Sequence, residues 1–225
     1  MNTQKYNCTK FRKIVDTTLS NYANMIKRLE RKKNVSEFVL TYYSIFLIIT
    51  TLTGKYFPDY YDVLMSEYIN IILSVVVLIY SIIIQKSNYS SRISHVMDSL
   101  NQLKSIKREI SDETLEHCNV KYNNIVDRTE RRSDTDFFIT VKHLCREYDI
   151  NWLTKRHNKK VAELIVQDEI DEYQKQEKVV NGYISEINVF VEEGKIVLEV
   201  LWEIILLLIP VALFAICLFS KKVRL

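Results

Sequence analysis

A chain of 225 residues with only three Gly and two Pro lacks the turn residues that sheets need at short intervals. That excludes a β-rich fold and points to long helices with few connections. Its 26% charged residues and net charge of +3 suggest a soluble protein on average, but the average conceals a division into strongly apolar and strongly charged blocks.

The first block, Met1 to Glu37, holds nine Lys/Arg against three acids and reads as a charged helix. Its end, KRLERKK, places Lys27, Arg28, Arg31, Lys32 and Lys33 where anionic lipid would attract each of them by about 1 kcal/mol. No secretory leader is expected, because the first apolar run begins only near residue 38. That run, Phe38 to Gly54, is uncharged over 17 residues, and a second, Tyr68 to Gln85, is uncharged over 18. At about 1.5 Å per residue each extends roughly 26 Å, enough to cross a slightly thinned hydrocarbon core. Two such runs 13 residues apart predict a membrane hairpin over 38–85. The connection carries Tyr56, Phe57, Tyr60 and Tyr61, an interfacial aromatic cluster, and then an excess of acids. The basic flank therefore puts the N-terminus in the cytoplasm, the connection outside, and residues 86–195 back inside.

After Gln85 the chain continues without a breaker, and Ile93, Val96, Leu100, Leu103 and Ile110 follow a 3–4 apolar spacing. The second membrane helix is expected to run on as a cytoplasmic stalk that packs against a neighbouring helix. A further helix is expected around Glu113 to Arg131. Another follows over FFITVKHLCREY, with Phe137, Phe138, Val141, Leu144, Cys145 and Tyr148 on one stripe and Ser133 or Asp134 as its cap. A long final helix is expected from about Lys159 into residues 196–225.

The uncharged part of that last segment, Ile204 to Ser220, is again long enough to span. Its charge flanks oppose the positive-inside trend, however. Glu192, Glu193, Glu199 and Glu203 lie on its cytoplasmic approach, and Lys221, Lys222 and Arg224 at its exit. Spanning, re-entry, interfacial lodging and burial among other subunits' helices are all open. Glu199 and Glu203 share a helical face and would form carboxylate rings in an oligomeric pore. They would equally be tolerated in the headgroup region. Pro210 would kink the helix or free a carbonyl, as a gate hinge or as an ordinary membrane proline.

The sequence has no glycine-rich phosphate loop, nucleophile elbow or HExxH motif. Cys8, Cys118, Cys145 and Cys217 are scattered without paired spacing. Neither an enzyme nor a bound cofactor or metal is expected. An anionic ligand would need cations. WLTKRHNKK supplies Trp152, Lys155, Arg156, Lys159 and Lys160, with an aromatic on which a base could stack. Arg128, Arg131 and Arg132 are the second candidate group.

Three stretches carry a resemblance. RLERKKNVSEFVLTYYSIFLIITTL (Arg28 to Leu52) enters the first apolar run, KSNYSSRISHVMDSLNQL (Lys86 to Leu103) leaves the second, and YNNIVDRTERRSDTDF (Tyr122 to Phe137) follows. In order and spacing, over roughly residues 15–155, these resemble the SLATT family. Its members are two-transmembrane effector domains found beside nucleotidyltransferases and nucleotide-sensing domains in bacterial antiphage defence. In the third stretch Tyr122, Glu130, Ser133, Asp136 and Phe137 fit the family pattern. Arg131 and Arg132 stand where an amide and an imidazole are expected.

The resemblance implies a membrane effector in the bacterial inner membrane, an oligomeric pore or ion channel. Its control would come from a nucleotide or short single-stranded oligonucleotide made by a partner nucleotidyltransferase. A non-conducting membrane scaffold or sensor is the alternative. The expected architecture is an all-α membrane protein with a basic N-terminal helix (1–37), a transmembrane hairpin (38–54 and 68–85), a cytoplasmic helical bundle (86–195) and a third apolar helix (196–225).

Overall fold

The computed structural model describes residues 2–147 and 189–223, with side chains over 8–144 and 191–219. All regular structure among them is helical: α1 (Asn2–Tyr56), α2 (Val63–Ser87), α3 (Tyr89–Glu109), α4 (Leu115–Arg128), α5 (Asp134–Glu147) and α6 (Val189–Val223). The stretches Cys8–Tyr56, Val63–Glu109 and Val191–Phe219 contain windows apolar enough to cross a membrane. The Trp152–Lys160 cluster and the expected helix start near Lys159 lie outside the described residues.

The basic N-terminal stretch is not a separate helix. It runs without interruption into the first apolar run as 55 residues of α1, because no Gly or Pro falls between Asn2 and Thr53. The expected uninterrupted stalk is corrected by one residue. Asn88 takes the left-handed conformation (φ 43°, ψ 42°) and separates α2 from α3. Asn tolerates that region better than other non-glycine residues, because its short amide bonds locally.

The chain divides into two compact units, residues 1–28 with 93–195, and residues 29–92 with 196–225. In the first, Phe11, Val15, Tyr22, Met25 and Ile26 of α1 are buried, as are Val96, Leu100, Leu103, Ile106 and Ile110 of α3. The predicted α3 stripe is therefore the core stripe. Lys107, which interrupts it, pairs with Asp16 (2.5 Å). From α5, Phe137, Phe138 and Val141 are buried.

Ser133 starts α5. Its hydroxyl accepts the Asp136 amide (3.2 Å) and the Asp136 carboxylate accepts the Ser133 amide (3.0 Å), a reciprocal cap. The same carboxylate, fully buried, takes both arms of Arg28: Nε to Oδ1 at 2.8 Å and Nη2 to Oδ2 at 3.0 Å. Asn24 donates to the Thr140 hydroxyl (2.9 Å), and the Thr18 and Tyr122 hydroxyls share a bond (2.8 Å). Phe11 meets the Tyr122 ring edge-on. The Tyr122 to Phe137 motif thus ties α1 to α4 and α5. It is structural wiring.

The second unit packs three helices. Asp62 caps α2 by accepting the Met65 amide (3.2 Å). Val39, Tyr43, Tyr61, Ile69, Leu73 and Cys217 form its buried centre. Much of the remaining apolar surface, including Ile71, Val75, Ile79 and Leu208, is exposed on the single chain. A soluble protein does not leave such faces bare, whereas hydrocarbon solvates them.

Candidate functional site in the membrane unit

Seventeen apolar residues preceded by glutamates would insert poorly alone, and the structure supplies what the glutamates need. Arg31 donates to Glu203 at 2.8 Å and Lys32 pairs with Glu199 at 2.9 Å. Both cations come from the KRLERKK segment of α1. These side chains are between 28% and 43% exposed, so each pair is worth at most about 1 kcal/mol. Their larger effect is to neutralise Glu199 and Glu203 on the approach to α6; the cations at its exit, Lys221, Lys222 and Arg224, still oppose the positive-inside trend.

Further along the seam, α6 stays beside α1. A proline has no amide hydrogen, so Pro210 leaves the carbonyl four residues back, that of Leu206, without its helical donor. The Tyr43 hydroxyl donates to that carbonyl at 2.9 Å, and Tyr43 is 1% exposed. Tyr42 donates to the next carbonyl, Leu207, at 3.1 Å. Phe214 lies edge-on to Phe46 and against Tyr61. At the far end the Asp62 amide donates to the Cys217 carbonyl (3.2 Å). From Glu199 to Cys217, then, α6 runs alongside α1 in the same direction and closes a three-helix unit. Pro210 itself is buried.

The other predicted site residues fall in the first unit or at its edge. Arg28 is committed to Asp136. Arg132 stacks on the Phe137 ring, 3.8 Å from its centre, and Arg131, Lys27 and Arg128 are exposed. Arg128 lines a groove of about 510 Å³ between α3 and α4, with His95, Asp98, Glu109, Lys121 and Asn124. Lys121 donates to Glu109 there (2.9 Å), and this bond holds the Glu109 carboxyl below its ordinary range. Glu192 is buried near the start of α6. Desolvation pushes its pKa up, but bonds from Lys195 (2.5 Å) and Thr135 (2.7 Å) outweigh that and leave it low.

A chain whose described regular structure is all helical, with three apolar helices of membrane length, is a membrane protein. The chain belongs to the SMODS and SLOG-associating 2TM effector domain family 5, whose match runs over residues 10–216. The match therefore extends well beyond the stretches that carried the resemblance and takes in most of the third apolar helix. Among curated proteins and solved structures, none matches this chain.

Proposed function

We propose that this membrane effector acts in antiphage defence as an oligomeric, ion-conducting pore. A nucleotide or short oligonucleotide signal, made by a partner nucleotidyltransferase, opens it or holds it shut. Its N-terminus and residues 93–195 face the cytoplasm of a bacterial inner membrane, the orientation favoured by the basic start of α1.

The observation that carries this reading is the three-helix unit. Its helices are bonded to one another along α1 and α6 yet expose apolar surface over most of their perimeter. Such a unit needs neighbours or lipid on every side, and further copies are the simplest neighbours. Glu199 and Glu203 are engaged with Lys32 and Arg31, so in this reading they fix α6 and do not set ion preference. An anionic signal would meet the exposed cations of the first unit, among them Arg131 and Arg128, the latter in the groove.

The test is conductance of the full chain in planar bilayers, without and with di- and oligonucleotides. Currents that respond to one of these support the proposal. Protein that inserts but carries no current under any condition refutes it and leaves a non-conducting sensor.

A further inference from the structure

On α1, the residues that meet α6 are Arg31, Lys32, Tyr42, Tyr43 and Phe46. At about 100° per residue they centre on one side of the helix. The opposite side carries Glu37, Thr41, Ser44, Ile48, Thr51 and Lys55, spaced 4–3–4–3–4. Except for Ser44, which is half-buried, all are exposed.

On α2, Glu67, Asn70, Ser74, Ser81 and Gln85 fall within about 60° of one another on the same arithmetic. Every non-aromatic polar side chain of the second apolar run lies in that sector. The neighbouring sector on the side away from the core, with Val75, Ile79 and Ile82, is aliphatic and exposed. The two polar strips are joined, because Asn70 Nδ2 donates to the Thr51 hydroxyl (3.2 Å). On its other side, the Asn70 Oδ1 takes the hydroxyl proton of Thr50.

Membrane hydroxyls tolerated for no purpose would scatter around each helix. Apart from Thr50 and Thr53 near the outer end of α1, the Ser and Thr hydroxyls of the two apolar runs keep to one hairpin face. We infer that this face, turned away from α6, lines a water-filled conduit built with further copies of this chain and favours cations. The inference deepens the conducting reading and rests on it.

The chemistry of the strip sets the sign. Thr41, Ser44, Thr51 and Ser74 donate their hydroxyl protons to carbonyls of their own helices, Glu37, Leu40, Leu47 and Asn70, at 2.8–2.9 Å. Their lone pairs, save the one of Thr51 that takes the Asn70 amide, are left outward. The strip therefore offers a permeating ion acceptor oxygens, which replace cation hydration and not anion hydration. Exposed carboxylates, Glu37 and Glu67, lie towards its two ends, against the single cation Lys55. The aliphatic sector of α2 is left for lipid and for contacts between copies.

The test uses the full chain in liposomes and planar bilayers. Ser74→Cys and Ser81→Cys should react with a charged, membrane-impermeant thiol reagent at least about tenfold faster than Val75→Cys and Ile79→Cys, above the background of the parent chain. A thiol in water ionises, whereas one facing hydrocarbon does not. The reaction at the serine positions should also block the current. Glu37→Lys and Glu67→Lys should together lower the K⁺ over Cl⁻ permeability ratio severalfold. Equal reaction at all four positions, in a parent chain that does conduct, overturns the assigned lining while conduction stands. An unchanged permeability ratio overturns the cation preference. A parent chain without current removes the conducting reading, and this inference with it.

Discussion

Tyr43→Phe is the substitution that isolates the bond across the proline. It removes one oxygen, keeps the ring in the centre of the membrane unit, and leaves the Leu206 carbonyl with neither the phenol nor a helical donor. Leu206 is itself buried, so water does not readily replace the bond. An orphaned buried acceptor costs about 1–3 kcal/mol. Side-chain hydrogen bonds within membranes average nearer 0.6 and reach about 1.7. A loss of about 1–1.5 kcal/mol is therefore expected. The decisive comparison is with Pro210→Ala, which returns an amide at position 210 able to donate to Leu206. In that background Tyr43→Phe should cost no more than about 0.5 kcal/mol, giving a coupling near 1 kcal/mol in a double-mutant cycle. Reversible unfolding in mixed micelles, with SDS as denaturant, measures all four corners. An equal cost of Tyr43→Phe in both backgrounds would show that the phenol stabilises by packing alone and would refute the argument.

Asp136→Asn removes the charge from a carboxylate that is fully buried and bound by both arms of Arg28. A loss of about 3 kcal/mol is expected, seen as destabilisation of α5 in amide exchange. Arg31→Glu should lower the thermal stability of the detergent-solubilised chain by placing two carboxylates together, and adding Glu203→Arg should restore most of the loss; a double variant as unstable as the single one would mean that the pair is incidental. For Glu192 the folded pKa is depressed, so its stabilising effect is complete above the unfolded value, near 4.3. It is lost as pH falls through the folded value. Acid unfolding of the first unit should accordingly have a component that Glu192→Gln abolishes, which a circular-dichroism titration would detect. Lys195, raised mainly by its bond to Glu192, contributes in the opposite sense. Its share is present below its unfolded value and disappears as pH rises through the folded one.

The sequence carried the helices well because their signals are local. Two uncharged runs gave the hairpin, and the 3–4 spacing of Val96, Leu100 and Leu103 gave the α3 core stripe. Ser133 was legible as a cap from its place before an apolar stripe. What could not be read was pairing across long separations. Glu203 and Arg31 are 172 residues apart, and nothing in either segment marks the other, so neither the acids nor the basic cluster reveals its partner in the sequence. Asn88 escaped because one residue in a left-handed conformation leaves no trace in hydropathy. The Glu37 to Lys55 strip was readable in principle from its 4–3 spacing. A hydropathy average along the run conceals it, because the strip's few polar residues are outnumbered by apolar ones.

The pairing of α1 cations with α6 acids also bears on how the protein is made. During synthesis the first hairpin enters the membrane nearly 120 residues before Glu203 is reached, so Arg31 and Lys32 are already in place when the last helix arrives. The third helix can then be admitted by partners laid down earlier in the same chain, and its own sequence need not direct its insertion. The order of charge along the chain thus makes the α1 cations available before the α6 acids that pair with them.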